Sequence, residues 1–149
     1  MGSESGDVFA LNPDSGCVEW IFRAQVSVRT GFVVGPASIK QAQSEAVYFG
    51  DQHGAVYALD SATGQLLWKA LADPHPAAMI TGTPQLWLGR LYVPVASYEE
   101  NFAPDTHYQC CSFRGSVVAY DAPTGKPAFR LTSAATLQVI DTSVYYWQS

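Results

Sequence analysis

One segment occurs three times in this chain: GDVFALNPDSGCVEW at 6–20, GAVYALDSATGQLLW at 54–68 and GSVVAYDAPTGKPAF at 115–129, with starts 48 and then 61 residues apart. Each copy runs from a Gly through a short apolar-rich stretch to an Asn or Asp, turns on a later Gly, and ends in an aromatic ring. Val8, Phe9 and Leu11 in the first copy, like Val56, Tyr57 and Leu59 in the second, are strand formers that lead into the turns at 12–16 and 60–64. An Asn or Asp opens such a turn by bonding its own backbone, and the late Gly takes the positive-φ position. Each copy is therefore predicted to be a β-hairpin. Trp20, Trp68 and Phe129 fall at one equivalent position, where a large ring would pack against the neighbouring unit.

A second piece repeats upstream of the hairpins. VVGPASIKQAQSEAVYFGD (33–51) is matched by TGTPQLWLGRLYVPV (81–95), with Pro36 and Pro84 again 48 apart, and each supplies two more short strands. Four strands per unit at a period of roughly 40–60 residues mark a β-propeller blade. Nothing in the chain sustains a helical period, which excludes a solenoid of helix pairs. The expected fold is all-β, a partial β-propeller of four-stranded antiparallel blades. Residues 1–23 read as the closing hairpin of an incomplete blade, 24–71 as a complete blade, and 72–131 as a second one with a long insertion at 95–114. The tail 132–149 diverges and offers at most an edge strand. Propellers close with about 4–8 blades, so two and a half leave open edges, and self-association through those edges is expected.

The charge balance narrows the partners. The chain holds 8 Lys and Arg against 13 Asp and Glu, a net charge of −5, and no basic cluster. Nucleic acid and anionic membrane are excluded as main partners, because binding them by counterion release needs a basic stripe. No apolar run approaches the ~18 residues of a membrane span. The start, MGSESGDVFALNPD, has neither a positive n-region nor an apolar h-region, so as written the chain carries no export address and its location reads as unknown or cytoplasmic. His53, His75 and His107 are scattered and no CxxC or His-x-His spacing supports zinc. The cysteines are Cys17, Cys110 and Cys111, an odd number that leaves at least one thiol unpaired in a monomer. The residues alone leave open two free thiols at 110–111, a bond from one of them to Cys17, or a bond to another chain.

The repeat G-x-V-x-A-L-D-x-x-T-G-x-x-x-W resembles that of quinoprotein β-propellers, and three further stretches sharpen the likeness. GSESGDVFALNPDSGCVEWIFRAQVSVRTGFVVGPA, ITGTPQLWLGRLYVPVASYEE and YQCCSFRGSVVAYDAPTGK together resemble polyvinyl-alcohol dehydrogenase, a family dependent on pyrroloquinoline quinone (PQQ) that oxidises secondary alcohols along a polymer. The likeness runs through about residues 2–131 and fades in the tail. It implies a periplasmic home and a PQQ site with Ca²⁺. By this resemblance Arg29 faces a carboxylate of the cofactor, a task suited to the guanidinium fork. Thr81 matches a threonine that hydrogen-bonds the quinone's periphery, and Ser97 is a further cofactor contact, although the ungapped register puts Ala96 where a serine is commoner. Glu99, 18 residues past Thr81, matches the glutamate that ligates Ca²⁺, with Glu100 its rival. Cys110 and Cys111 match a disulfide between sequence neighbours that packs on the face of the cofactor, a bond a reducing cytoplasm would open.

The resemblance also shows what is missing. The aspartate base, the aromatic floor under the quinone and the rest of the metal shell belong to later blades, so no catalytic residue is assigned here, and no CxxCH haem motif is present. Two readings follow. One is a truncated piece of a PQQ-dependent alcohol dehydrogenase that keeps one wall of the cofactor site and is not competent alone; the other is a non-catalytic propeller-repeat module for binding or scaffolding.

Overall fold

The computed structural model describes residues 1–37 and 44–133, and the backbone of 137–139. The rest of the tail and residues 38–43 lie outside the described residues. Among the described residues all regular structure is β except one 3-10 turn, Glu99–Phe102. Strands β1 (Asp7–Leu11) and β2 (Val18–Arg23) form a two-stranded antiparallel hairpin. β3 (Val33–Pro36), β4 (Glu45–Gly50), β5 (Ala55–Asp60) and β6 (Leu66–Leu71) form a four-stranded antiparallel sheet in chain order. The third sheet contains β7 (Ala78–Met79), β8 (Gln85–Trp87), β9 (Arg90–Ser97), β10 (Ser116–Asp121), β11 (Pro127–Thr132) and β12 (Leu137–Val139), in the order β12-β11-β10-β9-β7 with β8 also on β9. This is an open, partial β-propeller.

The hairpins form for the reasons the repeat suggests. Oδ1 of Asn12 accepts the amides of Asp14 and Ser15 at 3.1 and 3.0 Å, and Oδ1 of Asp60 accepts those of Ala62 and Thr63 at 3.1 and 2.8 Å. Asp121 bonds Thr124 in the same way, through its amide at 3.1 Å and its hydroxyl at 2.5 Å. The closing glycines, Gly16, Gly64 and Gly125, sit at φ of 69°, 71° and 68°, where a side chain is disfavoured. Two tryptophans then join unit to unit. Trp20 Nε1–H donates to Ser61 O at 2.9 Å, and Trp68 Nε1–H donates to Ala122 O at 2.8 Å. Each indole therefore reaches the hairpin turn of the following sheet, at or beside the Asx residue. Phe129, lacking an indole donor, packs its ring edge-on to Tyr92 of its own sheet at 6.1 Å.

The middle sheet is buried on both faces, because the hairpin packs on one side and the third sheet on the other. Along β5, Tyr57 and Leu59 point toward Val8, Val28 and Phe22, whereas Val56 and Ala58 join Ile80, Leu91, Val93, Val118 and Tyr120. That two-sided burial explains why β5 reads as a nearly continuous apolar run, AVYALD.

Two boundaries differ from the sequence expectation. β9 continues through Val95 to Ser97, so the excursion within the third unit opens at Tyr98 rather than at residue 95. Its inner partner is also split: β7 pairs with Ala96 and Ser97, β8 pairs with 90–92, and Thr-Gly-Thr-Pro at 81–84 lies between. Pro84 has no amide hydrogen to give a ladder, and at Gly82 the backbone runs so close to Pro94 that a Cβ would lie 2.7 Å from its ring. Of the tail, Leu137–Val139 adds to β11 as an antiparallel outer strand.

Candidate functional site

Strand pairing gathers the connectors at one rim. Val33 at the start of β3 lies opposite Tyr48 near the end of β4, Gly50 opposite Val56, and Ala55 opposite Leu71 at the end of β6. In the third sheet Ser97 lies opposite Ala78, and Ser116 is flanked by Val95 and Thr132. The segments 24–32, 51–54, 72–84 and 98–115 therefore emerge at the same end. Backbone and hydroxyl bonds lace them together: Thr30 Oγ1 donates to Gly50 O at 3.2 Å and accepts from Gly50 N–H at 3.1 Å, and Ile80 N–H donates to Asp51 O at 3.0 Å. All six residues named from the sequence, Arg29, Thr81, Ser97, Glu99, Cys110 and Cys111, lie on this rim or at the strand end that opens it.

The rim's best-defined group is Glu99. It opens the 3-10 turn and is only 2% exposed. Oε1 accepts the Tyr108 hydroxyl at 2.7 Å, the Ser112 amide at 2.7 Å and the Ser112 hydroxyl at 3.2 Å, while Oε2 accepts the Phe113 amide at 2.8 Å. Burial alone would raise its carboxyl, but these donors outweigh burial and hold it at about 2. The bond to Glu99 in turn pushes the Tyr108 phenol up. One carboxylate thus ties the start of the excursion to its end, in a segment that has little other regular structure.

His75 completes the cluster from the neighbouring connector. Its Nδ1 accepts Ala77 N–H at 3.1 Å, which puts the neutral ring's proton on Nε2, 3.0 Å from Ser112 Oγ and 3.8 Å from Glu99 Oε1. The same ring stands edge-on to Phe113 at 5.4 Å. Behind it Arg130 of β11 bridges Asp73 and the carbonyl of Ala72, a partly buried ion pair that ties the third sheet to the connector before β7.

The remaining candidates are on the surface. Arg29 donates to Glu4 at 2.5 Å and its side chain is 57% exposed. Thr81 is exposed and Ser97 half-buried, its hydroxyl accepting Glu99 N–H at 3.5 Å. Cys110 and Cys111 are joined as a disulfide and both are exposed, while Cys17 is free and far along the chain in the first hairpin turn. The structure therefore brings Ser97, Glu99 and the loop carrying the cysteine pair into one bonded unit, with Arg29 and Thr81 on adjacent connectors. Among the described residues no group of three or more His, Cys, Asp and Glu is placed to hold a metal ion. No helix among them is long and apolar enough to cross a membrane.

Several organising residues escaped the sequence reading. Asp51 is 1% exposed and accepts the amides of His53 and Ala55, both at 2.9 Å, and the Tyr57 hydroxyl at 2.8 Å. Its signal was present as an acid between a strand end and Gly54, the same logic that identified the hairpin turns. Tyr108, Ser112 and His75 had no such local signal.

Comparison with known proteins fits this architecture. Residues 1–107 match the family model described as outer membrane protein assembly factor BamB. The chain is 43% identical over 124 residues to the polyvinylalcohol dehydrogenase of Sphingopyxis sp. (strain 113P3), an alignment covering 83% of this chain and 19% of the relative. Among solved structures it resembles the quinohemoprotein alcohol dehydrogenase of Comamonas testosteroni with a TM-score of 0.67 and 25% identity, covering 88% of this chain and 19% of that one. A europium-containing methanol dehydrogenase shares the fold with a TM-score of 0.69 at 22% identity, over 89% of this chain and 22% of its own. The chain thus spans about a fifth of the length of the relatives it matches. Its three repeated hairpins, its tryptophan-linked sheets and the match over residues 1–107 assign the chain to the quinoprotein-type β-propeller family whose model bears the BamB description, with polyvinyl-alcohol and quinohemoprotein alcohol dehydrogenases among its relatives.

Proposed function

We propose that this chain forms one wall of a PQQ site in an alcohol-oxidising quinoprotein propeller. In this reading Arg29 faces a carboxylate of the cofactor, Thr81 and Ser97 hydrogen-bond its periphery, and the Cys110–Cys111 disulfide packs on its face. The observation that carries the proposal is the convergence of all these stretches on one rim. The donor set suits a planar polycarboxylate. Among the described residues the Arg29 fork is tied to a surface glutamate, and it can turn to a carboxylate through two parallel bonds. The Thr81 hydroxyl and the sulfur pair are open to a ligand. When bound, PQQ supplies a quinone that accepts hydride from an alcohol carbon. The residues of this chain hold and orient the ring and shield one face from water; no proton transfer is assigned to them. The same reading includes a periplasmic location, where a disulfide persists, and association of copies through open sheet edges.

Calcium does not fit at Glu99 as the loop is arranged. Ca²⁺ takes about 6–8 oxygen ligands, yet loop donors occupy both carboxylate oxygens here, and the residue is 2% exposed. Glu100 presents an exposed carboxylate but has no partner acids assembled around it among the described residues. No step is routed through the ion. This engagement of Glu99 favours the second reading, a non-catalytic repeat module for binding or scaffolding.

Titration of PQQ into the chain, with and without Ca²⁺, followed by absorbance and thermal shift, separates the two. The first reading expects a saturable stabilisation at micromolar PQQ, weakened about tenfold by Arg29→Ala, the size of one charge-assisted hydrogen bond. Absence of any shift at micromolar PQQ removes the cofactor reading and leaves the scaffold. A mass measurement in solution checks the edge association, which a monomer would refute.

A further inference from the structure

Each unit has a front, facing the unit before it in the chain, and a back, facing the unit after it. At the first junction Trp20 and Phe22, on the back of the β1–β2 hairpin, meet Tyr57 and Leu59 on the front of the middle sheet. At the second, Tyr48 and Trp68 on the back of the middle sheet meet Tyr120 on the front of the third. Both junctions seat the indole in the same place. It donates to the carbonyl of the residue after the turn-opening Asp, Ser61 or Ala122. Its ring covers the closing glycine so tightly that a Cβ would lie 2.7 Å from it at Gly64 and 2.5 Å at Gly125. Glycine is thus required twice over at these turns, by its positive φ and by the ring above it.

The first hairpin carries the same dock with no ring in it. Gly16 has a φ of 69°, yet nothing lies within 4 Å of where its Cβ would be. Leu11, the counterpart of the fully buried Leu59 and Tyr120, is 43% exposed. Ile21, opposite Phe9 on the same face, is exposed as well. The back of the third sheet presents the other half of such a junction. Phe129 stands at the position of Trp20 and Trp68, and its contact with Tyr92 at 6.1 Å repeats that of Trp68 with Tyr48 at 5.9 Å. Leu131, two residues on along β11, is exposed on the same face. Among the described residues neither of these two faces has a sheet against it.

We infer that the front of the first hairpin docks the back of the third sheet of a second copy of this chain, with Phe129 of one copy seated over Gly16 and against Leu11 of the other. A second copy is the occupant because the contact continues, once more, the junction that the chain already makes twice within itself. It is heterologous, so copies join head to tail into a ring or an open series and not as a two-fold dimer. It uses sheet faces, not the open edges invoked above, and it does not depend on the quinone reading. Burial of Phe9, Leu11 and Ile21 against Phe129 and Leu131 drives it. Phe129 has no N–H for the carbonyl of Pro13, the counterpart of Ser61 and Ala122, so this junction forms with one hydrogen bond fewer than the internal ones. Sedimentation velocity from micromolar to millimolar chain tests it. Expected is concentration-dependent association that Ile21→Lys and Leu131→Lys each weaken at least about tenfold, since each sets a charge in an apolar contact. Mixed in equal amounts, the two variants recover a heterodimer, because one keeps an intact back and the other an intact front. Phe129→Trp supplies the absent donor and tightens association about two- to tenfold, and this gain decides the matter if a lysine variant does not fold. A parent chain monomeric throughout, no heterodimer from folded variants, or association unmoved by Phe129→Trp would each overturn the assignment. Association that ignores all three substitutions would be edge pairing.

Discussion

The coupling of one sheet to the next rests on a few indole hydrogen bonds, and Trp68→Phe isolates the stronger of the two seen here. Trp68 Nε1–H reaches Ala122 O at 2.8 Å, and Ala122 is 1% exposed, so water cannot replace the lost donor. Leaving a buried carbonyl without a donor costs about 1–3 kcal/mol. The smaller ring also gives up packing against Tyr48 and Tyr120, whose centroids lie 5.9 and 6.0 Å away, a loss of roughly 1 kcal/mol of apolar burial. The sum, about 2–4 kcal/mol, corresponds to roughly 5–15 °C in Tm for a chain of this size. Trp20→Phe is the internal control. Its acceptor, Ser61 O, belongs to a half-buried residue at 2.9 Å, where water can take over, so the expected cost is about 1–2 kcal/mol. Urea unfolding followed by far-ultraviolet circular dichroism measures both, with the midpoint read at constant slope. A Trp68→Phe chain within about 0.5 kcal/mol of the parent, or a larger loss for Trp20→Phe than for Trp68→Phe, would refute the idea that burial of the acceptor sets the strength of the link.

Two further outcomes are expected. Gly125→Ala should destabilise more than Gly16→Ala: both sit near φ of 68–69°, but an added Cβ at Gly125 would lie 2.5 Å from Trp68 Cδ2, while Gly16 has nothing within 4 Å. Gly16→Ala then reports only the left-handed backbone cost, about 1–2 kcal/mol, and equal losses in chemical denaturation would show that the indole does not press on the turn. For Glu99, the folded carboxyl is depressed to about 2 from 4.5, so its contribution is fully present above pH 4.5 and fades as pH falls toward 2. Hydrogen exchange at the Ser112 and Phe113 amides should lose protection through that window. Glu99→Gln should lose it already at neutral pH, because an NH₂ group then meets amides that also donate; unchanged protection in the variant would show that the loop holds without the carboxylate.

What could be read from the residues and what could not divides along sequence separation. The hairpin turns were legible because an Asx residue bonds the amide three positions on, and the repeat displayed that short pattern three times. Trp20 and Trp68 were legible as a pair because equivalent positions in successive units must meet equivalent neighbours, even though their bonds span 41 and 54 residues. Repetition made a distant contact visible. The excursion after β9 occurs once, so nothing in the chain duplicates it. The donors to Glu99 come from residues 9, 13 and 14 positions ahead through irregular backbone, and a single carboxylate beside Glu100 reads as well as a surface acid or a metal ligand. His75 reaches the same cluster from another connector, 37 residues before Ser112. The resemblance pointed to this stretch, yet the physics within it turned on donors that the resemblance did not specify. A carboxylate that ends up buried is ruled by whichever hydrogen-bond donors surround it, since burial opposes its charge and only donors or cations can restore it. At Glu99 those donors are the loop's own amides and phenol, so the residue organises the loop that presents Cys110 and Cys111, and its influence on any ligand at the rim is exerted through that presentation.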